Sequence, residues 1–75
     1  MEYKIQCVFL KDDNEIIVQE NDIVKITYGD NTIVGQVDSI DHFECETISL
    51  ITNDDKYKSI FLDEIKDIKL IMKGK

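Results

Sequence analysis

The sequence predicts an all-β fold: a small barrel of five strongly bent strands, with an N-terminal β-hairpin added to it. Three observations carry this. Apolar and polar residues alternate over short runs, the period of two that a strand with one buried face shows. Clusters of Asp, Asn and Gly stand between the runs, the residues that tight turns require. The chain has 75 residues and no proline, which is room for one small domain with short connections and no second domain.

The elements follow in order. Residues 3–9 (YKIQCVF) put Tyr3, Ile5, Cys7 and Phe9 on one side and Lys4 and Gln6 on the other. Residues 11–14 supply a turn and 15–19 (EIIVQ) return, so residues 1–20 form a hairpin and residues 22–72 the barrel core. Residues 22–28 (DIVKITY) are β-branched and aromatic, with Val24, Ile26 and Tyr28 on one face. Gly29, Asp30 and Asn31 tolerate the positive φ of a tight loop. In residues 32–41 (TIVGQVDSID) Gly35 suits a sharply coiled strand, and the apolar spacing changes between Val37 and Ile40, the parity slip of a bulge.

Residues 47–52 (TISLIT) make the next strand and 53–58 (NDDKYK) the next turn. The last stretch reads as strand 59–62, one tight 3₁₀ turn at 63–65 and strand 66–72. A helix over 60–72 competes, because positions 61, 65, 68 and 72 have helical spacing. Strands are preferred because Ile60 with Leu62, and Ile68 with Leu70 and Met72, form two alternating runs joined by Ile65, which a single 3₁₀ turn would point inward. On this parity Ile60, Leu62, Ile68, Leu70 and Met72 face the interior. Phe61 and Ile71 then project outward, with Ile51 joining them. That outer apolar cluster needs a cover, which is either the N-terminal hairpin or a protein partner such as a second copy of the chain.

Composition excludes several functions. With 43% hydrophobic residues the chain is too apolar to be disordered, and no apolar run approaches the length of a membrane helix. Its net charge is −7, with nine Lys and no Arg, a poor profile for a general phosphate binder. The start MEYKIQCVF lacks a basic region, a long apolar stretch and a cleavage site, so a cytoplasmic, reducing setting is expected, with Cys7 and Cys45 as small buried side chains. Lys66, Lys69, Lys73 and Lys75 stand against Asp67 alone, so the C-terminal end is locally basic and reads as a solvated, fraying tail.

The segment Gly35–Phe43 (GQVDSIDHF) is similar to the first Sm motif, especially that of the bacterial host-factor Sm-like RNA chaperones. Tyr57 and Lys58 resemble the start of that family's second motif. With DIVKITY, the resemblance covers about residues 22–71 and implies a small SH3-like or Sm-like barrel that assembles through its edge strands. Ser59 stands where the second motif has a His, Cys45 near where the eukaryotic version has an Asn, and the family's N-terminal helix is replaced here by strands. For RNA binding, the resemblance leaves Asp41, Phe43, Tyr57 and Lys58 as the residues for base stacking and backbone contact.

Asp41, His42, Glu44, Cys45 and Glu46 form the densest polar cluster, but no second Cys or His pair has finger-like spacing, so no metal site is expected. Asp12, Asp13, Asn14 and Glu15 lack the spacing of a calcium loop. One His and three Ser without a nucleophile motif, and no phosphate-cradling glycine loop, give no catalytic site and call for no cofactor. The expectation is a non-enzymatic interaction module that self-associates or binds a protein through Phe61, Ile71 and Ile51. An Sm-like RNA-binding protein is the alternative and a small metal-binding protein the third reading.

Overall fold

The alternating runs become strands where the sequence places them. The computed structural model describes residues 6–11, 13–41 and 46–74. Seven strands follow in order: β1 (Gln6–Lys11), β2 (Asn14–Gln19), β3 (Ile23–Tyr28), β4 (Asn31–Asp41), β5 (Thr47–Ile51), β6 (Tyr57–Phe61) and β7 (Ile65–Met72). One 3₁₀ turn, Leu62–Glu64, precedes β7. It lies one residue earlier than expected, and β6 begins two residues earlier. No α-helix forms among the described residues, so the helical spacing within 60–72 is incidental.

β1 and β2 pair as a two-stranded sheet, and the other five strands form a second sheet in the order β6-β5-β4-β3-β7. All pairings are antiparallel. The expected closed barrel is not formed: β6 and β7 are the two edges of an open sheet. The sheet is nevertheless strongly curled. The Lys58 ammonium on β6 lies 5.8 Å from the centre of the Tyr28 ring on β3, although two strands separate β6 from β3 in the sheet.

The bend is built into β4. Its register with β5 shifts between Val37 and Ser39, so Val37 and Ile40 both point inward. Gly35 allows the close approach of β5: a Cβ there would stand 2.9 Å from the Ile51 carbonyl oxygen and 3.1 Å from Leu50 Cβ. Gly29 takes φ +56° in the two-residue turn from β3 to β4, a conformation that costs glycine nothing.

One core joins both sheets. Val24, Ile26, Val37, Ile48 and Leu50 are fully buried, with Ile40, Ile60 and Ile68 nearly so. Each such side chain contributes about 1.5–3 kcal/mol on burial. The hairpin adds its Cys7–Val18 pair to this core, with Phe9 and Ile16 packed beside it, and β2 rests on β7. Burial pushes the Cys7 thiol up from its ordinary pKa. The hairpin therefore covers the inner side of the sheet and leaves Phe61 and Ile71 each 53% exposed.

The C-terminal strand departs from the expected parity. Ile68 is buried opposite Ile26, but Leu70 is 37% and Met72 61% exposed, so neither is an interior residue. The cause is a register shift: Ile23 pairs with Met72 and Val24 with Leu70, so Ile71 is an extra residue in the strand. An inserted residue reverses which face the following side chains take.

Nor does the chain fray after β7. Asp22, only 1% exposed, accepts hydrogen bonds from Gln19 N–H (2.9 Å, to Oδ2), Lys73 Nζ (3.0 Å, to Oδ2) and Gly74 N–H (2.8 Å, to Oδ1). Burial alone would raise the Asp22 pKa; the two backbone N–H groups and the Lys73 ammonium outweigh it and hold the carboxyl below its usual range. Asn21, at φ +75°, makes the corner between the two sheets, its N–H bonded to the Val37 carbonyl at 2.8 Å. The Asp22 carbonyl in turn accepts from Val37 N–H at 2.8 Å.

Candidate interaction face and sheet edges

The strand registers arrange the outer face of the sheet as rows. One row runs from edge to edge, Tyr57–Ile51–Gln36–Ile23–Met72, one residue from each strand. Four of the five are apolar or aromatic. Tyr57 is 69% and Met72 61% exposed, while Ile51 and Ile23 are half-buried. Two shallow depressions of about 270 and 350 Å³ lie along this row and share Ile23 and Gln36.

The next row on the β4-β5-β6 side consists of Ser39, Ser49 and Ser59. The Ser49 and Ser59 hydroxyls are 2.9 Å apart and hydrogen-bonded. Beyond it stands Asp41–Thr47–Phe61. The polar serine row thus separates Phe61 from the edge-to-edge apolar row. Phe61 and Tyr57, four residues apart on β6, are about 13 Å from one another along the strand.

The expected partner-binding residues are placed accordingly. Phe61 and Ile71 are exposed and Ile51 is half-buried, but the three form no single cluster. Ile51 belongs to the apolar row, Ile71 adjoins its Met72 end, and Phe61 lies at the other end of β6.

The residues assigned to RNA binding are dispersed too. Asp41 ends β4 beside Thr47, whereas Tyr57 begins β6 beside Ile51, at the opposite end of β5. Lys58 faces away from Tyr57 and sits over the Tyr28 ring. Phe43 lies outside the described residues, as do His42, Glu44 and Cys45 of the polar cluster. No family model, curated protein or solved structure matches this chain. The site must therefore be read from its own geometry.

Around the row the surface is polar without being catalytic in layout. In the turn from β5 to β6, Thr52 N–H donates to the Lys56 carbonyl at 2.9 Å, and the Thr52 hydroxyl donates to Asp54. That hydroxyl contact is the main reason the Asp54 carboxyl lies below its ordinary pKa. Lys56 pairs with Asp54 at 3.7 Å, an exposed contact of little energetic weight. Among the described residues no three His, Cys, Asp or Glu side chains converge as a metal site, and no helix is long and apolar enough to cross a membrane.

Sequence reasoning missed two features. Tyr57, Ile23 and Met72 join Ile51 in one row only once the registers of four strand pairs are known. Asp22 looks like an ordinary turn residue, and the polar Asn21–Asp22 pair between two apolar runs was its only visible signal.

Proposed function

We propose that this chain is a non-enzymatic interaction module that binds protein, in the first instance a second copy of itself. The observation that carries the reading is the apolar row that crosses the outer face and ends on both unpaired edges, at Tyr57 on β6 and Met72 on β7. Pairing the β6 edge of one copy with the β7 edge of another would satisfy free backbone groups and bring the two row ends together. Such a head-to-tail contact uses two different surfaces, so it leads to a closed ring or to an open chain of copies.

The strand order supports an SH3-like or Sm-like kinship as well. A meander β3-β4-β5-β6, whose following strand β7 returns to pair with β3, is an SH3-like barrel opened between its last two strands. On this reading the protein needs no cofactor and works in the cytoplasm. RNA binding is the lesser reading, because Asp41, Tyr57 and Lys58 do not converge and the net charge of −7 opposes a polyanion.

Sedimentation mass tests the proposal. The wild type is expected to be dimeric or larger, and Phe61→Lys on β6 and Ile71→Lys on β7 are each expected to lower the mass while leaving the chain folded. A strictly monomeric wild type sinks self-association. Salt-sensitive retention of a single-stranded oligoribonucleotide, lost on Tyr57→Ala, would replace the protein reading with the RNA one.

A further inference from the structure

The end of β7 is attached by polar contacts to one carboxylate more than by packing. From the bulge onward the side chains bury little: Ile71 is 53% and Met72 61% exposed, and the Lys73 side chain 52%. What holds this arm is Asp22, whose two oxygens receive three donors, two of them from Lys73 and Gly74. The seat is shaped for a residue without a side chain. A Cβ on Gly74 would lie 2.6 Å from Asn21 Cβ and closer still to the Asn21 backbone.

The anchor is firm on the other side. Asp22 is bonded through its backbone to Val37 in the middle of β4, and its Oδ2 to Gln19 at the end of the hairpin. The catch is thus rigid and the arm is not, and the register shift at Ile71 supplies a natural hinge where one ladder partner is skipped. Segments with few buried apolar contacts open first and can do so without the core.

We propose that Asp22 and the Lys73–Gly74 pair are the catch of a strap. Shut, the strap seals the edge of β3 at Asp22–Ile23. Open, the arm peels back to Ile71 and that edge becomes free to pair with an extended segment. The device does not depend on the chain self-associating, and it is tested without reference to assembly.

Hydrogen exchange on the full chain decides it, comparing the wild type with Gly74→Ala and Asp22→Asn. Gly74→Ala keeps the carboxylate and the lysine and adds only a methyl where Asn21 already stands. Asp22→Asn offers one acceptor oxygen to three donors, so the amide nitrogen must face at least one of them. Both variants are expected to exchange the Ile71–Gly74 amides about tenfold faster or more, while the Ile48 and Leu50 amides keep the wild-type rate. Unchanged exchange over Ile71–Gly74 in both variants overturns the proposal. So does equal acceleration at Ile48 and Leu50, which would make Asp22 part of the global core, and so does a wild-type arm that already exchanges as fast as an unstructured peptide. If Asp22→Asn does not fold, Gly74→Ala decides alone.

Discussion

The two edges of the sheet differ in how they are guarded. β6 is short and keeps an unbroken register with β5, from Tyr57↔Ile51 to Phe61↔Thr47. Its outward Tyr57 and Phe61 are both more than half exposed. β7 shifts register twice against β3, carries Lys66 and Lys69, supports β2, and is tied down just past its end by Asp22. Bulges and lysines blunt an edge against unwanted strand addition. The lesson is that β6 is the freer edge, so contacts that begin by strand addition should begin there.

The largest test of this contrast removes the inward anchor from each edge strand. Ile60 on β6 and Ile68 on β7 are each only 2% exposed, and truncating either to Ala should cost about 2–5 kcal/mol in a denaturant titration. If both edges are equally built into the core, the two losses agree. A much smaller loss for Ile60→Ala would mean that β6 is attached as loosely as its surface suggests.

Gly35→Val comes next and reaches β6 indirectly. The new side chain meets the Ile51 carbonyl and pushes β5, with β6 beyond it, away from β4. A loss on the order of 1–3 kcal/mol is expected. An unchanged melting temperature would show that β5 can shift without cost.

Asp22→Asn acts on the β7 side alone and should cost about 1–3 kcal/mol at neutral pH. Its pH dependence has a definite sign. The folded Asp22 pKa is depressed, so the stabilisation is complete above the unfolded value of about 3.9 and is lost as pH falls through the lower folded value. The stability gap between wild type and Asp22→Asn should therefore be constant above about pH 4 and close below it. Melting curves of both proteins between pH 7 and pH 2 measure this, and a gap that persists at the acid end would remove the charged contact as its source.

The smallest effect on stability is expected for Phe61→Lys, within about 0.5 kcal/mol, because the side chain is half exposed. The informative quantity is mass. A drop in sedimentation mass with an unchanged melting temperature places a contact on β6, whereas a lowered melting temperature would mean that Phe61 is covered within its own chain.

The local parts of the fold were readable because they depend on neighbouring residues. The alternation in 22–28 and 47–52, the turn at Gly29 and the parity slip between Val37 and Ile40 are each contained in a few positions, and the structure has all of them. The interior places expected for Leu70 and Met72 fail because a strand pattern does not announce an inserted residue, and the bulge at Ile71 changes the parity. The open sheet in place of a closed barrel was invisible because closure depends on whether β6 and β7 pair, and each strand alone reads the same either way. Of the candidate site, exposure of Phe61 and Ile71 was legible, but their separation was not, since it follows from register across five strands. Asp22 is the extreme case: its donors lie 51 and 52 residues further along the chain.

That separation bears on how quickly the molecule can form. The meander β3-β4-β5-β6 grows by successive neighbours, so each ladder can appear soon after its hairpin turn. The β3–β7 ladder must wait for a long loop to close, and the entropy of closure comes before any contact rewards it. β3 therefore spends the early part of folding with one side bare, and β7 is expected to dock last, with an overall rate on the order of milliseconds to seconds rather than microseconds. Stopped-flow refolding of Ile68→Ala checks this: a β7 that docks late leaves the folding rate almost unchanged and speeds unfolding. Val24 and Ile26, fully buried in the finished fold, are the side chains most exposed to the wrong neighbour during that interval.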